Sequence, residues 1–383
     1  MAPEMTPEER FMAVLKGEKP DVMPWFTDLT WWYRSQVYRG ALPRGKLLQI
    51  HKDLGVGDIF NFLYEDPGDP YEAEHFFACY SLTYKTTKVT TFQEKMSDGT
   101  VIYETKYHTP LGTLTGVLKF VPGSVSTTYV KYPVEKPEDL KILQYIYKDR
   151  VVKPNYEPLY ARIEEWKGWA VPTTFPGRSP FQRLIVEFAG VTNTYSLLLR
   201  AREELEETLQ IMEEEDDAIY DIVLDSPAVV VLICANISSD IISPPIFKKY
   251  YAPIYKKRSN QLHSKGKYAW VHIDGTLRGL LPLLSEAGVD IAESLTPAPI
   301  GDVPIEKFRE LAGPNIILMG GLPGVYFSPQ YPQEKLVEMV MKVIECHLKE
   351  AKFIISGADQ VPPDGDINRV KLVTQLVEEY GRY

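Results

Sequence analysis

Tyr268-Ala269-Trp270-Val271-His272-Ile273-Asp274-Gly275 is an apolar run of strand length that closes on a polar pair and a glycine. Runs of the same kind recur at Trp169 to Phe175, Val229 to Ile237, Val289 to Ser294, Ile316 to Gly320 and Phe353 to Ser356. A helix-like amphipathic segment separates each from the next, which is the pattern of parallel βα units. Nearer the amino terminus, Thr6-Pro7-Glu8-Glu9 reads as a capping box that opens a helix to about Lys16. Val22 to Asp28 and Asp58 to Leu63 then read as two further strands. Six strands and two make eight, so the expected fold is α/β, a (β/α)8 TIM barrel. No GxGxxG follows any strand to favour the rival, an open doubly wound sheet.

Residues 80 to 130 break this rhythm. Ser81 to Phe92, Val101 to Tyr107 and Gly112 to Lys119 alternate β-branched or aromatic residues with polar ones, and Asp98-Gly99 is a hairpin signal. The expectation is a single barrel domain over 1–383 that carries 80–130 as a small inserted antiparallel sheet.

The formal charge of −10 repels nucleic acid. The longest apolar stretches are too short to cross a bilayer, and the amino terminus has no signal-type run, so a soluble cytoplasmic protein is expected. Cys79, Cys234 and Cys346 make neither a disulfide framework nor a CxxC zinc pair, which fits a reducing compartment. The acidic run Glu213 to Asp217 reads as a solvated helix face.

In a barrel the reactive groups collect at the carboxyl ends of strands. His272 and Asp274 are two apart on a strand and share one face, with Gly275 permitting a sharp turn. The pair can be a metal half-site, a general acid with its orienting carboxylate, or a structural hydrogen bond. Other strand ends offer Asp28, Asn236, Glu293 and Asp359. Asn236 supplies either a directed hydrogen bond or a helix cap; Glu293 either points into the mouth or pairs with a neighbouring base. Gly320-Gly321 reads as a turn or as a close approach of backbone to a ligand. The aromatic cluster Trp31, Trp32 and Tyr33 is either core material or, near a cleft, the lining for a flat aromatic ligand.

Several segments together resemble the uroporphyrinogen decarboxylase superfamily. They are Glu8 to Phe11 through Gly17 to Pro24, Thr109-Pro110-Leu111-Gly112-Thr113, Ser243 to Pro253, His272 to Gly275, Gly320-Gly321-Leu322 and Ser356-Gly357-Ala358. The resemblance implies a (β/α)8 barrel and either of two chemistries. Porphyrinogen decarboxylases carry an amino-terminal Arg-Gln-Ala-Gly-Arg motif; here Thr27 to Arg34 stands in its place without the motif. Coenzyme M methyltransferases of the superfamily bind zinc through a His-x-Cys pair and a later cysteine. His272 matches the histidine, Asp274 occupies the first cysteine position and Ala358 is taken to occupy the second. What remains resembles corrinoid-dependent methyltransferases that demethylate methyl ethers, notably methoxylated aromatics.

That reading implies catalytic roles for His272, Asp274 and Glu293, metal ligation by His272 and Asp274, and substrate binding by Asp28, Trp31, Trp32, Tyr33 and Asn236. It implies a small-molecule methyl donor and a corrinoid carried by a partner protein, since no Asp-x-His-x-x-Gly motif occurs in the chain. Zinc would have to bind without its usual cysteines. A decarboxylase and a non-catalytic binding barrel are the alternatives, and the oligomeric state, a homo-oligomer included, is left open by the sequence.

Overall fold

A computed structural model describes residues 4–58, 79–122 and 124–383. Its strands, in chain order, are β1 (Trp25–Phe26), β2 (Tyr80–Tyr84), β3 (Lys88–Lys95), β4 (Val101–Thr109), β5 (Gly112–Val121), β6 (Ser126–Lys131), β7 (Arg150–Pro154), β8 (Thr173–Thr174), β9 (Val230–Ile237), β10 (Tyr268–Ile273), β11 (Ile291–Leu295), β12 (Ile317–Pro323) and β13 (Phe353–Ala358). They divide between two compact units. The first holds the described residues of Met1–Pro67, Glu157–Phe175 and Pro227–Tyr383, the second those of Gly68–Tyr156 and Pro176–Ser226.

In the first unit seven strands form one sheet in the order β1-β13-β12-β11-β10-β9-β8. Every pairing is parallel. Helices at Pro244–Tyr250 and Ala252–His263, Leu281–Glu286, Phe308–Ala312 and Gln333–His347 fill the crossovers from β9 to β13. Strands covered on both faces should be apolar throughout. Accordingly β11, β12 and β13 are buried at every position. The last crossover helix turns Leu336, Met339, Val340, Val343 and Ile344 inward at helical spacing.

The expected strand Trp169 to Phe175 contracts to Thr173–Thr174, because Pro172 has no amide to give a ladder and the Thr173 hydroxyl bonds back to the Val171 carbonyl at 2.9 Å. Of the expected strand Asp58 to Leu63, residues 59–63 lie outside the described residues. Isolated parallel bridges join Phe26 to Gly57 and Asp58 to Ala170. Thr6 opens the first helix, Pro7–Leu15, with both capping-box hydrogen bonds in place.

In the second unit β3-β4-β5-β6 form an antiparallel sheet, with Asp98 and Gly99 in the turn between β3 and β4 as the sequence predicts. Ser81 to Phe92 is not one strand. It splits into β2, paired with β7, and β3, paired with β4. The break falls at Thr86 and Thr87, whose amides turn to the Asp149 carboxylate at 2.9 and 2.6 Å. β3 is the outer strand and is exposed at all eight positions.

The acidic run 213–217 is also more than a solvated face. Asp216 separates the helices Arg202–Glu215 and Asp217–Asp225 and is buried. Its carboxylate accepts from Arg183 at 3.0 Å and Arg150 at 2.8 Å, and Arg183 also reaches the Tyr147 hydroxyl at 3.1 Å.

Candidate active site

β10 and β11 pair with His272 opposite Glu293. Parallel neighbours at one register point their side chains to the same face, and the imidazole meets the carboxylate with Nδ1 2.6 Å from Oε2. On the other side of the ring Nε2 lies 2.9 Å from Asp274 Oδ1 and 3.6 Å from Asp359 Oδ1. Asn236, at the end of β9, donates from Nδ2 to the second Asp274 oxygen at 3.0 Å. The ends of β9, β10, β11 and β13 thus converge on one imidazole. Of the alternatives open for Glu293, the structure selects pairing with a base; for Asn236, it supplies the directed hydrogen bond.

Left-handed backbone marks the same place. Asn236, Ser294 and Asp359 each have φ between 62° and 70°, a left-handed conformation that side chains other than asparagine and aspartate adopt at a cost. All three sit at or just beyond strand ends. Gly275, with φ of 65°, makes the turn expected of it after Asp274.

Burial disfavours a charged His272, but the carboxylates of Asp274 and Glu293 outweigh it and raise its pKa well above the ordinary histidine value. The two carboxylates thus favour the charged form of the ring, in which both nitrogens carry a hydrogen to donate. Glu293 is fully buried, and its Oε1 has no hydrogen-bond partner among the described residues. Asp28, at the end of β1, accepts the Thr30 amide at 2.6 Å. Its pKa is pushed up to about 7, chiefly by burial, with Asp359 and Glu293 adding repulsion.

Ala358, taken to stand in the second cysteine position, ends β13 without a polar side chain, and the next residue, left-handed Asp359, brings a carboxylate toward Nε2. His272, Asp274 and Asp359 each offer one ligating atom, all within 4.8 Å of one another. The donor set is imidazole and carboxylate with no sulfur, so a thiolate zinc site of the kind implied by the resemblance does not form here.

The aromatic cluster lies on the helix Thr30–Tyr38. Trp32 and Tyr33 are buried; Trp32 donates to the Gly365 carbonyl at 3.0 Å, and the Tyr33 hydroxyl donates to the Pro43 carbonyl and accepts the Lys46 amide. Trp31 is half-buried with the Arg34 guanidinium 4.6 Å from its ring centre. Gly320 admits no ligand beside its backbone, since a Cβ there would stand 2.6 Å from the Leu295 nitrogen; strand packing requires the glycine.

The family model for uroporphyrinogen decarboxylase (URO-D) matches residues 100–380. The chain belongs to the uroporphyrinogen decarboxylase family. Among solved structures, a methyltransferase from Methanosarcina mazei superposes with a TM-score of 0.57 at 16% identity, over 98% of this chain and 99% of that one. That is a likeness of fold. Muconate cycloisomerase from Pseudomonas fluorescens and the muconate lactonizing enzyme from Pseudomonas putida align over 78% of each chain at 9% and 11% identity, with TM-scores of 0.26, too low to carry weight. No curated protein sequence matches significantly. Within the uroporphyrinogen decarboxylase family match lie Asn236, His272, Asp274, Glu293 and Asp359, whereas Asp28 precedes it.

Proposed function

We propose that this chain is a methyltransferase that moves a methyl group from a methyl ether, a methoxylated aromatic above all, to the Co(I) centre of a corrinoid carried by a separate protein. The architecture behind this reading is a closed (β/α)8 barrel whose eighth strand passes through Gly57 and Asp58. The two bridges from Phe26 and to Ala170 support that closure.

The observation that carries the chemistry is the His272 ring clamped between the Glu293 and Asp274 carboxylates. In the reaction Co(I) supplies the electron pair of the new Co–CH3 bond, the methyl C–O bond breaks, and its pair stays on oxygen. A phenolate leaves poorly, and a proton delivered to that oxygen yields the phenol. His272 Nε2–H is the donor, and Glu293 on Nδ1 holds the ring in place and favours the charged form. Asp274, fixed by Asn236, lies on the same nitrogen and orients the proton. The half-buried Trp31 is the aromatic available to face a flat substrate.

Decarboxylation of a polycarboxylate is the weaker reading. Asp28, Asp274, Glu293 and Asp359 would repel such a substrate, whereas a neutral ether is indifferent to them.

The test uses the purified chain, chemically reduced free cobalamin and a methoxybenzoate. The expected result is donor-dependent conversion of cob(I)alamin to methylcobalamin with one phenol released per methyl, and no phenol without the corrinoid. Phenol release by this chain alone, or failure to methylate cobalamin with any methyl ether, would overturn the proposal.

A further inference from the structure

We infer that Arg278, on the rim of the site, binds the carboxylate of an aromatic acid, so that the substrate is a methoxylated aromatic carboxylate held with its ether end toward His272. The ether end of this inference rests on the function proposed above. The carboxylate end does not, because it can be read by binding alone.

Charge is the first support. The loops that leave β1 and β9 to β13, at residues 27–29, 238–243, 274–280, 296–304, 328–332 and 359–366, hold seven aspartates and one basic residue, Arg278. Loops at the carboxyl ends of parallel strands are the ones that shape a site. An anion is repelled by the aspartates of such a mouth and attracted at a single point. The same field orients a substrate that carries one carboxylate: its neutral ether end turns to the acids around His272, and its charged end stays at the rim.

Geometry is the second. The loop that carries Arg278 is pinned from both sides: Asp302 Oδ1 accepts the Leu277 amide at 2.7 Å, Asp302 Oδ2 accepts the Arg278 amide at 3.2 Å, and Ser239 Oγ accepts the Gly279 amide at 3.1 Å. Arg278 Nη2 donates to the Asp302 carbonyl at 2.9 Å. The side chain thus crosses from the loop after β10 to the loop after β11, the same two strands on which His272 and Glu293 face each other. Both oxygens of the Asp302 carboxylate are already taken by amides, and Nε stands 4.0 Å from Oδ2, so that ion pair is loose. Nη1 makes no hydrogen bond among the described residues, and the side chain is 63% exposed. A guanidinium held in this way offers a planar fork that suits a carboxylate.

The experiment measures, by titration calorimetry, the binding of ortho-, meta- and para-methoxybenzoate and of the matching methoxybenzamides, with no corrinoid present. At least one acid should bind about tenfold or more tightly than its amide. Arg278→Gln should weaken binding of that acid by about 10- to 100-fold and leave the amide within about twofold, with an unchanged circular dichroism spectrum. Arg278→Lys, which keeps the charge and loses the fork, should fall between the two. No binding of any isomer, an amide bound as tightly as its acid, or an acid bound equally well by Arg278→Gln would each overturn the inference. Acid binding that depends on Arg278 in a protein that transfers no methyl group would sink the methyltransferase reading and leave the carboxylate site standing. Methyl transfer that runs equally well from the acid and the amide would do the reverse.

Discussion

His272 and Glu293 face each other at one register of two parallel strands, Nδ1 2.6 Å from Oε2. Glu293 is fully buried, so the hydrogen bond is shielded from water and holds the ring far more firmly than an exposed contact would. Glu293→Gln keeps the volume and removes the charge. Methyl transfer should fall by about 10- to 100-fold while the far-ultraviolet circular dichroism stays the same. A variant with the parent rate would show that the imidazole needs no anionic partner.

Asp216→Ala should strip two buried guanidinium groups, those of Arg150 and Arg183, of their shared carboxylate. Breaking a buried pair from one side costs about 3–5 kcal/mol. Chemical denaturation should show the second unit unfolding at markedly lower denaturant. A shift of less than about 1 kcal/mol would mean that water reaches the arginines.

Gly320→Ala places a methyl against the Leu295 backbone and forces alanine to φ of 145°. The expected cost is about 1–3 kcal/mol or more, from strain at one residue. Thermal melting would register it, and an unchanged midpoint would contradict the close strand approach.

His51 is buried beside Trp166, with Nδ1 on the Val56 carbonyl, and burial lowers its pKa to about 4. A histidine held neutral in the fold binds its proton more readily when unfolded. Its contribution is therefore complete above the ordinary value near 6.5 and erodes as pH falls toward 4, by about 3 kcal/mol. Denaturation midpoints measured from pH 7 to pH 4 should decline more steeply for the parent than for His51→Gln. Parallel declines would remove His51 from the account.

Where local chemistry decides, the sequence was readable. Thr6 and Glu9 cap a helix three residues apart, Asp98-Gly99 turns a hairpin, and His272 and Asp274 share a face because strands have a period of two. What escaped depends on contacts distant in the chain. Asp149 breaks Ser81 to Phe92 into two strands from more than sixty residues away. Arg150 and Arg183 draw Asp216 inward out of an acidic run that local charge marks as solvent-facing. Asp359 reaches His272 only through its left-handed backbone, which nothing in Ser356-Gly357-Ala358-Asp359 announces. A parallel sheet was foreseeable from repetition, though eight strands in a closed barrel were expected and seven pair among the described residues; the two-residue length of β8 follows from Pro172 and the Thr173 side chain.

β3 has consequences for how this protein behaves in bulk. It is an outer strand bare along its whole length, with Phe92 62% and Val89 42% exposed. Such an edge is a template on which a second chain can lay its own strand. Lys88 and Lys95 bracket it, so two copies meeting edge to edge bring like charges together. Two ammonium groups therefore oppose pairing along this edge, and acetylating both lysines would remove that repulsion and favour self-association through β3.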